Sequence, residues 1–198
     1  MTSLLAFSGA PLNPSPLDRS TLVIIDAQME YVTGKLPLSG VGAALDEIAA
    51  LLDLARRNGV PVIHVAHHAP PGRPLFDPEG PFAAIAPEAR PLEGEPVVVK
   101  SLPNAFAHTD LAERLKETGR PELILAGFMT HNCVYATAMS ALDHGYRSSS
   151  IVAAATATRD LGDVPAAQVQ RGVLAGLSDR AAIIVPDHSG LWQTNSIR

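Results

Sequence analysis

The sequence predicts an α/β protein built on a mainly parallel β-sheet with helices over both faces. Two observations predict it. Short β-branched apolar runs alternate along the chain with stretches whose apolar residues recur at helical spacing, and Gly or Pro punctuates the junctions between them. Such alternation reads as βαβ units, whose parallel strands are buried on both faces and so appear as continuous apolar runs. Right-handed crossovers then leave few topologies.

Taken in order, residues 1–18 are rich in Pro and polar side chains and are expected to form an N-terminal arm over the surface. Thr21-Leu22-Val23-Ile24-Ile25-Asp26 is the first strand, closed by an acid. Residues 40–58 place Val41, Leu45, Ile48, Leu51, Leu52 and Ala55 on one helical stripe, with Asn58-Gly59 as the stop. Val62–Ala66 is a second strand. Residues 67–95 hold seven prolines and no period, so they predict a long irregular excursion, a kind of loop that often carries function. Val97-Val98-Val99 is a third strand, ending at Lys100. Residues 109–118 follow as a helix, with Thr109 as N-cap and Gly119 as the stop. Leu123–Ala126 is a fourth strand, ending at Gly127, and residues 131–144 a helix rich in small side chains, closed by Gly145. Ile151–Ala154 is a fifth strand, residues 164–178 a helix capped by Asp163, Ala182–Val185 a sixth strand, and the remainder a polar tail.

The 198 residues read as a single domain, and 46% hydrophobic against 18% charged residues gives a globular composition with a large interior. The net charge is −5 and no Lys/Arg cluster occurs, which argues against nucleic acid and anionic membranes as partners. One cysteine forbids an intrachain disulfide and suits a reducing compartment. The N-terminus lacks a basic region ahead of its short apolar patch, and no apolar run approaches the roughly 20 residues that span a bilayer. A cytoplasmic protein is expected.

In open α/β sheets the active site lies at the carboxyl ends of the strands, near the switch in strand order. Asp26 closes strand one, Lys100 closes strand three, and Cys133 opens the helix after strand four. An acid, a cation and a thiol therefore share one edge of the sheet. Each has a plainer reading: a free Cys is commonly a small core hydrophobe, an Asp at a strand end commonly caps a turn, and Lys100 could sit on the surface. The three valines before Lys100 argue that its stem is enclosed, and a buried ammonium calls for a carboxylate such as Asp26. In the first turn of a helix, backbone N–H groups and the macrodipole favour a thiolate and can hold an oxyanion; Thr130 beside it is also a plausible N-cap. The seven His include a local group, His64, His67 and His68, but no HExxH or zinc spacing of Cys and His exists, so no metal is expected. No glycine-rich phosphate loop follows a strand and no GxSxG occurs, which leaves no cofactor and no serine hydrolase signature.

Together these segments resemble the isochorismatase-like superfamily of nicotinamidases, N-carbamoyl amidohydrolases, ureidoacrylate hydrolases and isochorismatases. Val23-Ile24-Ile25-Asp26-Ala27-Gln28 is similar to its strand–Asp–x–Gln opening. Lys100–Phe106 is similar to its lysine segment, with Asn104 where Ser is usual. Gly127–Val134 matches G-x-x-T-x-x-C-V, and Ala155–Asp160 matches A-x-A-T-R-D. The order of these motifs, from about Leu22 to Val185, is specific where any one of them is not.

The resemblance implies a three-layer αβα sandwich with a six-stranded parallel sheet, a catalytic triad of Asp26, Lys100 and Cys133, a cis peptide between Phe128 and Met129, and an oxyanion hole from the backbone N–H groups of Met129 and Cys133. It implies a covalent mechanism on a small-molecule C–N bond of amide, carbamoyl or urea type, and a homo-oligomer, dimer or tetramer. Two departures narrow it. The metal-dependent members carry Asp-x-His where this chain reads Val65-Ala66-His67-His68. Isochorismatases proper cleave a vinyl ether and commonly lack the Cys that is kept here at position 133. A vinyl-ether hydrolase, a thiol redox sensor without a resolving Cys, and an idle scaffold are the rivals. Gln28, Tyr31, Phe106 and His131, next to the triad segments, are the expected substrate-binding residues, with His67 and His68 candidates for the pocket mouth. Arg159 either binds a substrate carboxylate or ties its own loop.

Overall fold

The computed structural model describes residues 2–147 and 149–192. Its strands are β1 (Ser20–Ile25), β2 (Val62–His67), β3 (Val97–Lys100), β4 (Glu122–Phe128), β5 (Ser149–Ala157) and β6 (Ala182–Val185). They form one sheet in the order β3-β2-β1-β4-β5-β6, every pair parallel. The helices are α1 (Leu4–Phe7), α2 (Val41–Arg57), α3 (Leu111–Glu117), α4 (Tyr135–Asp143) and α5 (Ala166–Arg180). The expected six-stranded parallel sheet between helical layers is what the chain builds, and among the described residues no helix is long and apolar enough to cross a membrane.

Successive strand residues point to opposite faces, so β1 serves two cores at once. Leu22 and Ile24 pack with Ile124, Ala126 and Val152 under Leu45, Ile48, Leu51 and Leu52 of α2. Val23 and Ile25 pack with Ile63, Val65, Leu123, Leu125 and Ile151 against Leu111 and Leu115 of α3, Ala138 and Ala141 of α4, and Leu177 of α5. The order reverses between β1 and β4, the position where such sheets open a crevice.

Several local expectations change. The lead-in to Lys100 is not an enclosed run: β3 is an edge strand in which Val97 and Val99 are exposed while Val98 and Lys100 are buried. Lys100 is enclosed by alternation rather than by three buried neighbours. Residues 131–144 are not one α-helix, because Thr130–Val134 winds as a wide π turn, with the Val134 N–H reaching Met129 O at 3.2 Å, before α4 begins. Asp163 does not cap α5; Asp160 Oδ1 accepts from the Ala166 N–H at 2.7 Å. Thr109 stands one residue outside the N-cap of α3, although its hydroxyl accepts from Leu111 N–H. The N-terminal arm contains a helix, α1, whose Leu5 is buried and whose Leu4 N–H donates to Asp179 of α5. Leu17 N–H donates to Trp192 O at 2.8 Å, and the last six residues of the polar tail lie outside the described residues.

The 67–95 excursion folds back over the carboxyl edge of the sheet. Backbone bonds run from Ala86 N to Ala27 O, from Met29 N to Ala84 O and from Glu30 N to Phe82 O. The buried Glu30 carboxylate accepts from the Lys35 and Phe76 N–H groups, closing the same loop.

Candidate active site

Asp26 follows β1 with a left-handed backbone, φ 49°, a conformation an L-residue adopts at some cost and that clusters at functional sites. Its N–H is fixed to Val65 O at 2.9 Å. Beside it, Gly127 of β4 has φ 113°, and a Cβ there would fall 2.0 Å from Ile25 O. Glycine at 127 therefore lets β4 approach β1 closely where Asp26 leaves the sheet. The peptide bond between Phe128 and Met129 is cis. The π turn after it carries Cys133 back over the switch point, and π turns recur at functional sites.

Asp26, Lys100 and Cys133 meet and are all buried. Lys100 Nζ lies 2.7 Å from Asp26 Oδ2 and 3.3 Å from Cys133 Sγ. Neither Asp26 carboxylate oxygen makes a well-formed hydrogen bond to a described residue, and the Lys100 contact is an ion pair. Burial raises the Asp26 pKa above the ordinary carboxylate value, and Lys100 opposes that rise. Burial first, then the Asp26 charge, push the Cys133 thiol up to about 12 against the pull of Lys100. Burial and the neighbouring carboxylate thus oppose the thiolate that a helix N-terminus was expected to favour, and the π turn interrupts that helix start.

The sequence-predicted pocket residues fare differently. Tyr31 packs edge-on against Phe76 and Phe128, buried, with its ionisation suppressed by burial and by the charges of Asp26 and Cys133. His131 sits half-buried, its Nδ1 against the Thr158 hydroxyl; burial and the Arg159 charge lower its pKa. Arg159 is exposed, and among the described residues its side chain donates to the Asp160 carbonyl. Gln28 has other work: its Nε2 donates to His67 O and Ala83 O, and its Oε1 accepts from His67 N–H, so the buried amide is spent stapling the excursion. Phe106 stacks on His144, ring centroids 4.3 Å apart, at the far end of α4 from Cys133. At ~1.5 Å per residue that is well over 10 Å along the helix, which removes Phe106 from the pocket.

Two features escaped sequence reasoning. His67 Nδ1 lies 3.2 Å from Lys100 Nζ, within the buried Asp26–Lys100–Cys133 group rather than at a pocket mouth. His64, its neighbour on β2, belongs elsewhere: buried, it faces Glu95 Oε2 at 3.0 Å. Alternation along β2 separates the two, and that signal was present in the sequence; the reach of Lys100 across β2 was not. Among the described residues no three His, Cys, Asp or Glu side chains converge as a metal-holding cluster. A cavity of about 600 Å³ lies at the amino ends of β2 and β3, lined by Val60, Val62, Glu95 and Arg114, on the edge of the sheet opposite the catalytic groups.

Fold and site together define a parallel α/β hydrolase with its polar groups gathered at the switch point. The chain belongs to the isochorismatase family, whose domain model matches residues 20–178. It is 40% identical over 180 residues to the secreted isochorismatase effector Isc1 of Verticillium dahliae, covering 90% of this chain and 94% of that one. It is 36% identical over 146 residues to a maleamate amidohydrolase of Pseudomonas putida, covering 66% and 68%. The crystal structure of an isochorismatase from Pseudomonas putida superposes with a TM-score of 0.89 at 41% identity, covering 96% and 99%.

Proposed function

We propose that the chain hydrolyses a small-molecule C–N bond of amide, carbamoyl or urea type through a thioester on Cys133. The observation that carries this reading is the buried contact set in which one ammonium touches both a carboxylate and a thiol. Because the thiol is protonated at rest, attack and proton transfer go together. As Sγ bonds to the carbonyl carbon, the thiol proton passes to Asp26, whose Oδ1 is free to take it. The carbonyl π electrons move to oxygen, and the oxyanion is received by the backbone N–H groups of Met129 and Cys133. Collapse breaks the C–N bond while Asp26 returns the proton to the departing nitrogen. A water then attacks the thioester, giving a proton to Asp26; the acid leaves and Cys133 regains its proton. Lys100 keeps its charge throughout and offsets whichever partner is negative. Tyr31 and His131 line the acyl site in this reading. The relative named as a maleamate amidohydrolase supports an amide substrate.

The family name and the effector relative favour a second reading, a vinyl-ether hydrolase that needs a general acid but no thiol. A redox sensor is disfavoured by burial of Cys133 and by the lack of a second Cys in the sequence. A homo-oligomer in a reducing compartment completes the proposal. The test incubates wild type and Cys133→Ala with a panel of amides, ureas and carbamoyl compounds, reading ammonia release and intact mass. Ammonia and an acyl adduct that both vanish in Cys133→Ala support the thioester; ammonia release that survives in Cys133→Ala overturns it, and no ammonia and no adduct across the whole panel favours the vinyl-ether reading.

A further inference from the structure

The strand order forces a third side chain into the Lys100 contact. Lys100 starts from β3 and reaches Asp26 beyond β1, and β2 lies between those strands. His67 ends β2 and is the register partner of Lys100, while the His68 N–H donates to Lys100 O at 2.9 Å. The His67 ring therefore stands beside the ammonium as it crosses.

An alkylammonium has three N–H donors and no acceptor. Here three groups surround Nζ: the Asp26 carboxylate as an ion pair, Oδ2 at 2.7 Å, with Cys133 Sγ at 3.3 Å and His67 Nδ1 at 3.2 Å as hydrogen-bond partners. With all three present the ammonium cannot rotate without leaving a buried donor unmatched. We propose that His67 is a positioning residue whose Nδ1 is the third acceptor of Lys100, and that its ring must stay neutral with the proton on Nε2 to act. The proposal rests on Lys100 serving the Cys133 thiol, as in the mechanism above.

The surroundings of His67 agree with that role. Gln28 holds its backbone at both the N–H and the carbonyl, fixing where the ring begins. Phe76 presses edge-on against the ring at 4.9 Å. Lys100 faces it from β3, and Asp26 and Cys133 stand across that ammonium; His68 adjoins it on its own segment. Burial, then the charge of Lys100, then His68 lower its pKa to about 4. The ring is thus neutral at ordinary pH, with Nδ1 turned to Lys100.

The test uses the whole protein. Proton–nitrogen NMR of histidine-labelled protein, with His67 assigned by its loss in His67→Asn, reads the tautomer directly. An Nε2–H ring with no titration between about pH 5 and 8 is expected; an Nδ1–H ring, or titration near the ordinary value of about 6.5, overturns the proposal. Alkylation of Cys133 by iodoacetamide then separates positioning from mere packing. Asn offers Oδ1 where His offers Nδ1, so His67→Asn should stay within about threefold of wild type. His67→Leu, folded by circular dichroism, should differ by about tenfold or more, as an unsatisfied buried donor implies. Equal rates in Leu and wild type overturn the proposal. A wild-type thiol inert at every pH counts instead against Cys133 as nucleophile, and the NMR result still decides His67.

Discussion

Two carboxylate clusters, one half-buried and one fully buried, sit at opposite ends of this sheet, and they differ in how well each carboxylate is matched. At the amino edge, the Glu95 carboxylate takes Arg56 Nε and Nη2 at 2.8 Å each, His64 Nε2 at 3.0 Å and the Leu92 N–H at 2.9 Å. Those donors outweigh desolvation and hold its pKa at about 2. At the carboxyl edge, Asp26 is fully buried, ion-paired with Lys100 beside the Cys133 thiol, neither of its oxygens makes a well-formed hydrogen bond to a described residue, and its pKa is raised. A saturated carboxylate is suited to clamping; an undersupplied one, whose pKa burial raises, is suited to accepting a proton. The first ties the end of the 67–95 excursion to α2 and β2. The second is the base in the proposed mechanism.

The contrast breaks first at the backbone. Gly127→Ala should lose ~4 kcal/mol or more, enough to threaten folding, because its Cβ meets Ile25 O. Gly94→Ala, beside the Glu95 clamp, has nothing within 4 Å of its Cβ and should lose only ~1–2 kcal/mol for its φ of 88°. Thermal melts of the two variants read the difference; equal losses would undo the claim that only the catalytic edge depends on close strand approach.

Side-chain changes sharpen it next. Asp26→Asn should lower turnover by about 10²–10⁴, the usual worth of a positioned base. Glu95→Gln should keep turnover and lose ~1–3 kcal/mol of stability, since its carboxylate donors are left poorly matched. A Glu95→Gln protein that folds as well as wild type but turns over slowly would reverse the assignment.

The smallest effects are in pH. Glu95 has a depressed pKa, so its stabilisation is present above the unfolded value of 4.5 and is lost as pH falls toward 2. Asp26 has a raised pKa, so the folded chain holds that proton more tightly, and its carboxylate opposes stability as pH rises through that value. Turnover needs the carboxylate. The acid limb of the pH–rate profile should therefore lie above 3.8, while acid unfolding driven by Glu95 lies below 4.5.

Much of this was legible in the sequence. Parallel strands declare themselves as apolar runs, and the switch-point rule turns the residues that end them into candidates, which is how Asp26, Lys100 and Cys133 were found together. What stayed hidden depends on partners distant in the chain. The alternation of β3 follows from its edge position, which only strand order reveals. Gln28 stood next to Asp26 and so read as a pocket residue, but its partners are the backbone of His67 and Ala83. Phe106 adjoins the lysine segment in sequence while the chain turns its ring to His144. His67 was on the correct face of β2, yet nothing local says that Lys100 must pass over it.

The most direct test of the account is the state of the thiol at rest. Cys133 is the single cysteine, so the difference in ultraviolet absorbance between wild type and Cys133→Ser follows one thiolate through a pH titration. The account predicts no thiolate signal at neutral pH and its appearance only well into the alkaline range, toward about 12. A thiolate already present at neutral pH would contradict it, because Asp26 would then have no proton to take from Cys133 at the moment of attack.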